Sequence, residues 1–130
     1  MIGYFDEDWT KVKYFTKKEF LCKCGKCERD TGVSFTLVRI IDMMREDMKF
    51  PLRITSGYRC PKHEFYRDGK SSHARGYAVD IYCDSSGHRF KMVEYALKRG
   101  IFTRIGIASN FLHFDIDDSE DKSERVMWTY

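Results

Sequence analysis

The chain has 130 residues, 42% of them hydrophobic and 15% aromatic, enough for one domain with its own core and a composition that excludes a fibre or a disordered chain. Its formal net charge of +3, from 23 Lys and Arg against 20 Asp and Glu, is spread in mixed signs and argues against a nucleic-acid partner. No apolar run reaches the ~20 residues of a membrane span, and the opening MIGYFDEDWTKVKYF lacks the basic and apolar regions of a secretory signal, so no membrane partner, synthesis in a cytoplasm and reduced cysteines are expected.

Along the chain, Thr16 is placed to cap a short helix, with Glu19 closing a capping box and Phe15 and Phe20 spaced as a hydrophobic staple. CKCGKC, carrying Cys22, Cys24 and Cys27, cuts that helix short. Ser34 then caps a longer helix in which Leu37, Ile40, Ile41, Met44 and Met48 form one apolar stripe. FPLRITSGYRCP predicts a strand of about five residues leaving Pro51 and running into a turn. The β-branched and aromatic YAVDIY predicts a buried strand. From about Ser86 to Arg99 the pattern is helical again, with Phe90, Val93 and Leu97 on one face, a Glu94–Lys98 pair and Gly100 as the stop. RIGIA and FLHFDI are two further strands, joined by a tight turn at Ser109 and Asn110. Without regular β-α-β alternation, the expected class is α+β: a small, mainly antiparallel sheet flanked by helices, one domain over residues 1–130, monomeric.

The stretch SSHARGYAVDIYCD puts a histidine in a polar turn and an aspartate, seven positions on, inside an apolar strand. A carboxylate there has lost most of its water and needs a partner, a proton or a metal. Strand alternation puts Asp80 on a face with Ala78 and Tyr82, and puts Phe111, His113 and Asp115 on the face opposite Leu112, Phe114 and Ile116. His73, Asp80 and His113 thus offer two imidazoles and one carboxylate with an open fourth position, the donor set of a catalytic zinc site. Taken singly, His73 also reads as a polar loop residue and Asp80 as a buried hydrogen-bonding aspartate.

SSHARGYAVDI resembles the Ser-x-His-x-x-Gly-x-Ala-x-Asp signature of the D-alanyl-D-alanine carboxypeptidase and L-alanyl-D-glutamate peptidase family of zinc peptidases, whose fold is shared with the hedgehog signalling domain. FTKKEFLCKCG, ITSGYRCPKH, RIGIASNFLHFDID and WTY are similar to segments of its small, often phage-encoded members. The resemblance implies that His73, Asp80 and His113 bind zinc, that Arg59 faces the substrate and stabilises the oxyanion, and that Ser71 supports the site. It also implies a peptidase of peptidoglycan stem peptides, either a D-Ala-D-Ala carboxypeptidase or an endolysin-type endopeptidase, acting on the cell wall after release or from a virion.

One position departs from the better-known members, which carry Glu or Asp three residues before the last histidine: this chain has Asn110. An amide cannot act as a general base at neutral pH. Asp115, on the face of His113, is the first candidate for the base; its other reading is a partner that fixes the ring of a zinc-bound His113. His63 and Glu64 are further candidates. Asn110 also keeps a rival function open, a zinc-bound but catalytically silent module that recognises cell wall or a virion protein.

Cys22, Cys24 and Cys27, with Cys60 or Cys83 as a fourth thiol, suit a structural zinc site, against reduced and partly buried thiols as the plainer reading. A nucleic-acid zinc element built on the same run conflicts with the mixed charge. Trp128 and Tyr130 suit either a wall over a substrate groove or the packing of a last strand. DIDDSEDKSE reads as a solvated acidic loop.

Overall fold

A computed structural model describes residues 7–24, 32–60 and 71–130. Helix α1 spans Phe35–Met48 and opens on Ser34, whose side chain accepts from the Leu37 N–H. Leu37, Val38, Ile41 and Met44 are buried on one face, with Ile40 and Met48 at its margin. Ahead of it, Lys17–Phe20 makes a single 3-10 turn in which the Thr16 N–H donates to the Glu19 carboxylate at 2.7 Å and the rings of Phe15 and Phe20 meet edge to face.

Five strands make one sheet: β1 Ile54–Ser56, β2 Ala78–Tyr82, β3 Arg104–Ile107, β4 Phe111–Asp115 and β5 Val126–Thr129. Their spatial order is β1-β2-β4-β3-β5, antiparallel throughout except that β5 runs parallel to β3. β1 is shorter than the sequence predicts, its pairing with β2 slipping in register between Ile54 and Ser56 and ending at Ser56. Val79, Ile81, Ile105, Leu112 and Phe114 form one face and join the same apolar cluster as the buried residues of α1 and of helix α2, Ser86–Arg99. Each fully buried Leu or Phe in that layer is worth roughly 1.5–3 kcal/mol of transfer free energy. With the helices on that side, the opposite face of the sheet carries the polar residues.

The fold corrects the stripe expected for α2. Met92, Tyr95 and Ala96 are the buried residues and Val93 packs half-buried against the same core, whereas Phe90 and Leu97 are 68% and 61% exposed. Two apolar stripes of helical spacing coexist in this segment, and tertiary contacts choose between them. Ala96 is fully buried in the core cluster, and the Tyr95 hydroxyl donates to Asp47 on α1 at 2.8 Å. The Glu94–Lys98 pair and the end at Gly100 are as the sequence predicts, and Ser85 caps the start, its side chain accepting from the His88 N–H.

Candidate metal centre

Strand register builds the centre. Asp80 on β2 stands directly opposite His113 on β4; His113 is opposite Gly106 on β3, Gly106 beside Trp128 on β5, and Ser56 on β1 opposite Asp80. One row across all five strands therefore reads Ser56, Asp80, His113, Gly106, Trp128. Directly opposed residues in paired strands share a face and lie about 5 Å apart, so the ladder itself sets the carboxylate against the imidazole. A Cβ on Gly106 would lie 2.8 Å from the Trp128 ring, and the missing side chain lets that indole close to 5.2 Å from His113, centroid to centroid.

His73 comes from the turn over 71–76. The Ser71 hydroxyl oxygen accepts from the backbone N–H of His73 at 3.1 Å and of Ala74 at 3.4 Å, and the turn closes with Gly76 N–H donating to the His73 carbonyl. Gly76 has φ +82, and a Cβ there would strike the Gly32 carbonyl oxygen, so only glycine passes this point. The result places His73, Asp80 and His113 together, all three buried, with ligand atoms within 4.8 Å of one another.

Hydrogen bonding fixes which nitrogen of each ring faces the centre. His73 Nδ1 lies 2.8 Å from the Gly57 carbonyl oxygen, which can only accept, so Nδ1 donates there and Nε2, 3.3 Å from Asp80 Oδ1, is the nitrogen turned to the centre. His113 is held the other way round. Its Nε2 sits 2.7 Å from Asp115 Oδ2, leaving Nδ1, 2.9 Å from Asp80 Oδ1, turned inward. Carbonyl–histidine and carboxylate–histidine pairs of this kind orient the ligands of metal sites.

The other sequence candidates fall around this core. Arg59 donates through Nε to Ser56 Oγ at 2.8 Å and through Nη2 to Asp80 Oδ2 at 3.1 Å, with its side chain still 29% exposed. Asp115 is fully buried: Oδ2 also accepts from Arg104 Nε at 3.2 Å, and Oδ1 accepts from the Asp117 N–H. Asn110 is exposed in the β3–β4 turn, and its carbonyl accepts from the Cys83 N–H. β5 packs onto the sheet as the last strand, and the rings of Trp128 and Tyr130 line the pocket above the centre, about 290 Å³ in volume. His63, Glu64 and Cys27 lie outside the described residues.

The acidic run needs correction. Asp115 and Asp117 are fully buried, and the solvated stretch begins only at Asp118. Asp117 accepts from Ser72 Oγ at 2.6 Å and from the Ser119 N–H at 3.0 Å, tying the His73 turn to the segment after β4. Asp117, Ser72, Arg104 and the Gly106 gap were not singled out in the sequence. Asp117 sits where Ile116, which faces the core, would have its alternating polar partner, and that alternation was the available signal.

In the metal-free protein the charges are mutually dependent. Burial pushes the Asp80 carboxyl up, but hydrogen bonds from His113 and His73 outweigh it and hold the group well below the usual carboxylate range. Burial lowers His113, and its bonds to Asp115 and Asp80 more than reverse this, so the imidazole keeps its proton above the ordinary range for histidine. A divalent cation among the three would take the place of that proton. Two imidazole nitrogens and one carboxylate are a zinc donor set, and the residues fit such an ion without rearranging the ring partners.

Cys60 joins Cys22 and Cys24 in a second group, their ligand atoms also within 4.8 Å of one another, while Cys83 stands apart with its thiol on the Ser85 carbonyl. No helix among the described residues is long and apolar enough to cross a membrane. A family model described as Peptidase M15 matches residues 13–116. No protein of curated function matches the chain.

Proposed function

This chain belongs to the peptidase M15 family of zinc-dependent metallopeptidases, and on that premise we propose that it hydrolyses a peptide bond in the stem peptides of bacterial peptidoglycan. The observation that carries the proposal is the convergence of His73 Nε2, Asp80 and His113 Nδ1, each with its remaining polar atoms already engaged, at the floor of an open pocket. A zinc ion held there supplies Lewis acidity, polarising the scissile carbonyl and acidifying a water molecule.

The chain's own residues do the rest. Arg59, bonded to Ser56 and Asp80 and lining the pocket with part of its side chain exposed, is the cation that meets a substrate carboxylate or the negative charge developing on the carbonyl oxygen. Lys122 on the same pocket adds a second positive charge, which suits the acidic termini of stem peptides. Trp128 and Tyr130 form an apolar wall for the peptide backbone.

Asp115 acts here as the brace of His113 and not as the base. What supports this is that one oxygen is shared by His113 and Arg104, that the other takes a backbone N–H, and that neither is exposed. The proton from the attacking water then passes to another group, for which His63 and Glu64 are the remaining candidates from the sequence. The protein meets its substrate after release from the cell that makes it, or as part of a virion.

Purified peptidoglycan incubated with the zinc-loaded protein, followed by analysis of the termini released, tests the proposal. New free amino and carboxyl ends that depend on zinc and on His113 are the expected result, and their position in the stem peptide distinguishes a carboxypeptidase from an endopeptidase. The silent-module reading is favoured by Asn110 alone. It predicts binding to the same peptidoglycan without new termini, and hydrolysis first appearing in Asn110→Asp.

A further inference from the structure

We propose that Cys22, Cys24 and Cys60 form a second metal site, supplying three thiolates to a four-coordinate zinc ion whose remaining ligand is a further donor, and that this ion pins the loop carrying Arg59 to the N-terminal segment. The three Sγ atoms lie within 4.8 Å of one another, with Cys24 and Cys60 at 3.4 Å. Around a tetrahedral zinc with Zn–S bonds of ~2.3 Å, neighbouring sulfurs stand roughly 3.8 Å apart, so small adjustments bring all three into its coordination shell.

The backbone prepares this meeting. The Tyr58 N–H donates to the Phe20 carbonyl at 3.1 Å, and Lys23 Nζ donates to the Thr55 carbonyl at 2.9 Å, joining the two segments on either side of the thiols. The Cys60 N–H donates to Cys22 Sγ, 3.3 Å away, and so holds that sulfur beside the Cys60 backbone.

A disulfide explains the cluster less well. Among the described residues it would take two of the three clustered sulfurs and leave the third, whereas a zinc ion uses all three. The donor sets also separate the two sites chemically, since soft thiolates and the imidazole–carboxylate group favour different metal chemistry. The consequence falls on the neighbouring residue. Arg59 immediately precedes Cys60, and its backbone N–H donates to the His73 carbonyl, so a metal clamp at Cys60 holds the guanidinium in register with the first centre.

The test uses the full chain, purified under reducing conditions and loaded with cobalt(II) or zinc(II). The proposal expects two zinc ions per chain by elemental analysis. It also expects a near-ultraviolet thiolate-to-cobalt charge-transfer band that persists in His113→Ala and disappears in Cys24→Ser. Failure of the first centre would leave this band untouched, so the two sites are tested separately. If Cys24→Ser does not fold, the wild type still decides the matter: protection of three thiols from alkylation by added zinc supports the site. A single zinc with no thiolate band, or a Cys24–Cys60 disulfide in the reduced preparation, overturns it.

Discussion

The two clusters of potential metal ligands stand on different kinds of structure. Asp80 and His113 face each other across paired strands, and His73 sits in a turn whose backbone is capped by Ser71. Each ring nitrogen pointing away from the centre already has a partner, Gly57 for His73 and Asp115 for His113. Cys22, Cys24 and Cys60 instead stand outside regular elements, brought together by a few hydrogen bonds between their segments. The first cluster is preorganised by a sheet that would exist without metal; the second depends on an ion to fix its geometry. Catalysis needs the former, because ligand orientation must survive each turnover, and a structural clamp tolerates the latter.

Removing ligands should give the largest contrast. His113→Ala should abolish zinc-dependent hydrolysis and lower the metal content by one ion per chain, while far-ultraviolet circular dichroism stays native. Loss of both ions in that variant would mean that the clusters are not independent. Next in size, Arg59→Ala should retain both ions but reduce kcat/KM by roughly 10²–10³, the cost of one oxyanion donor. An unchanged kcat/KM would remove Arg59 from the site's chemistry.

Asp115→Asn distinguishes a brace from a base. A brace predicts zinc affinity lowered by about 10–100-fold, with most of the turnover restored when zinc is saturating. A base predicts unchanged affinity and a loss of ~10²–10⁴ in turnover at any zinc concentration. Titrating activity against buffered zinc separates the two.

Acidification should weaken the first centre before the ordinary histidine range is reached. In the metal-free protein His113 holds its proton to higher pH than a free histidine, because its bonds to Asp115 and Asp80 outweigh the opposing effect of burial. Zinc must displace that proton. Affinity is therefore full above the raised pKa and falls as pH drops through it, approaching about tenfold per unit for one proton. Competition titrations between pH 8 and pH 6 on a Cys24→Ser background check this, and a flat profile would contradict the assigned ligand.

The smallest effect is expected at Gly106→Ala. The new Cβ would meet the Trp128 ring, costing roughly 1–3 kcal/mol of overpacking and moving the aromatic wall while zinc binding stays intact. Thermal unfolding with and without zinc would show it.

Much of this arrangement was legible in the sequence because it rests on local rules. Strand alternation separated Leu112 and Phe114 from His113 and Asp115, and the caps at Thr16 and Ser34 follow from side chains reaching the first turn. What escaped depends on register and long-range contact. That Arg104 falls opposite Asp115, that Gly106 opens space for Trp128, and that Cys60 rather than Cys83 joins the thiols are all consequences of which strands and loops become neighbours. The buried face of α2 escaped for the same reason, since Phe90 and Leu97 fit a helical stripe as well as Met92 and Ala96 do until the sheet selects one.

Anomalous diffraction at the zinc edge, from crystals of the zinc-loaded protein, tests the central claim most directly. The account predicts a peak bonded to His73 Nε2, Asp80 and His113 Nδ1 at about 2.0–2.2 Å, with His113 Nε2 still on Asp115. Density absent from that position, or zinc on His113 Nε2 with Asp115 displaced, would contradict it.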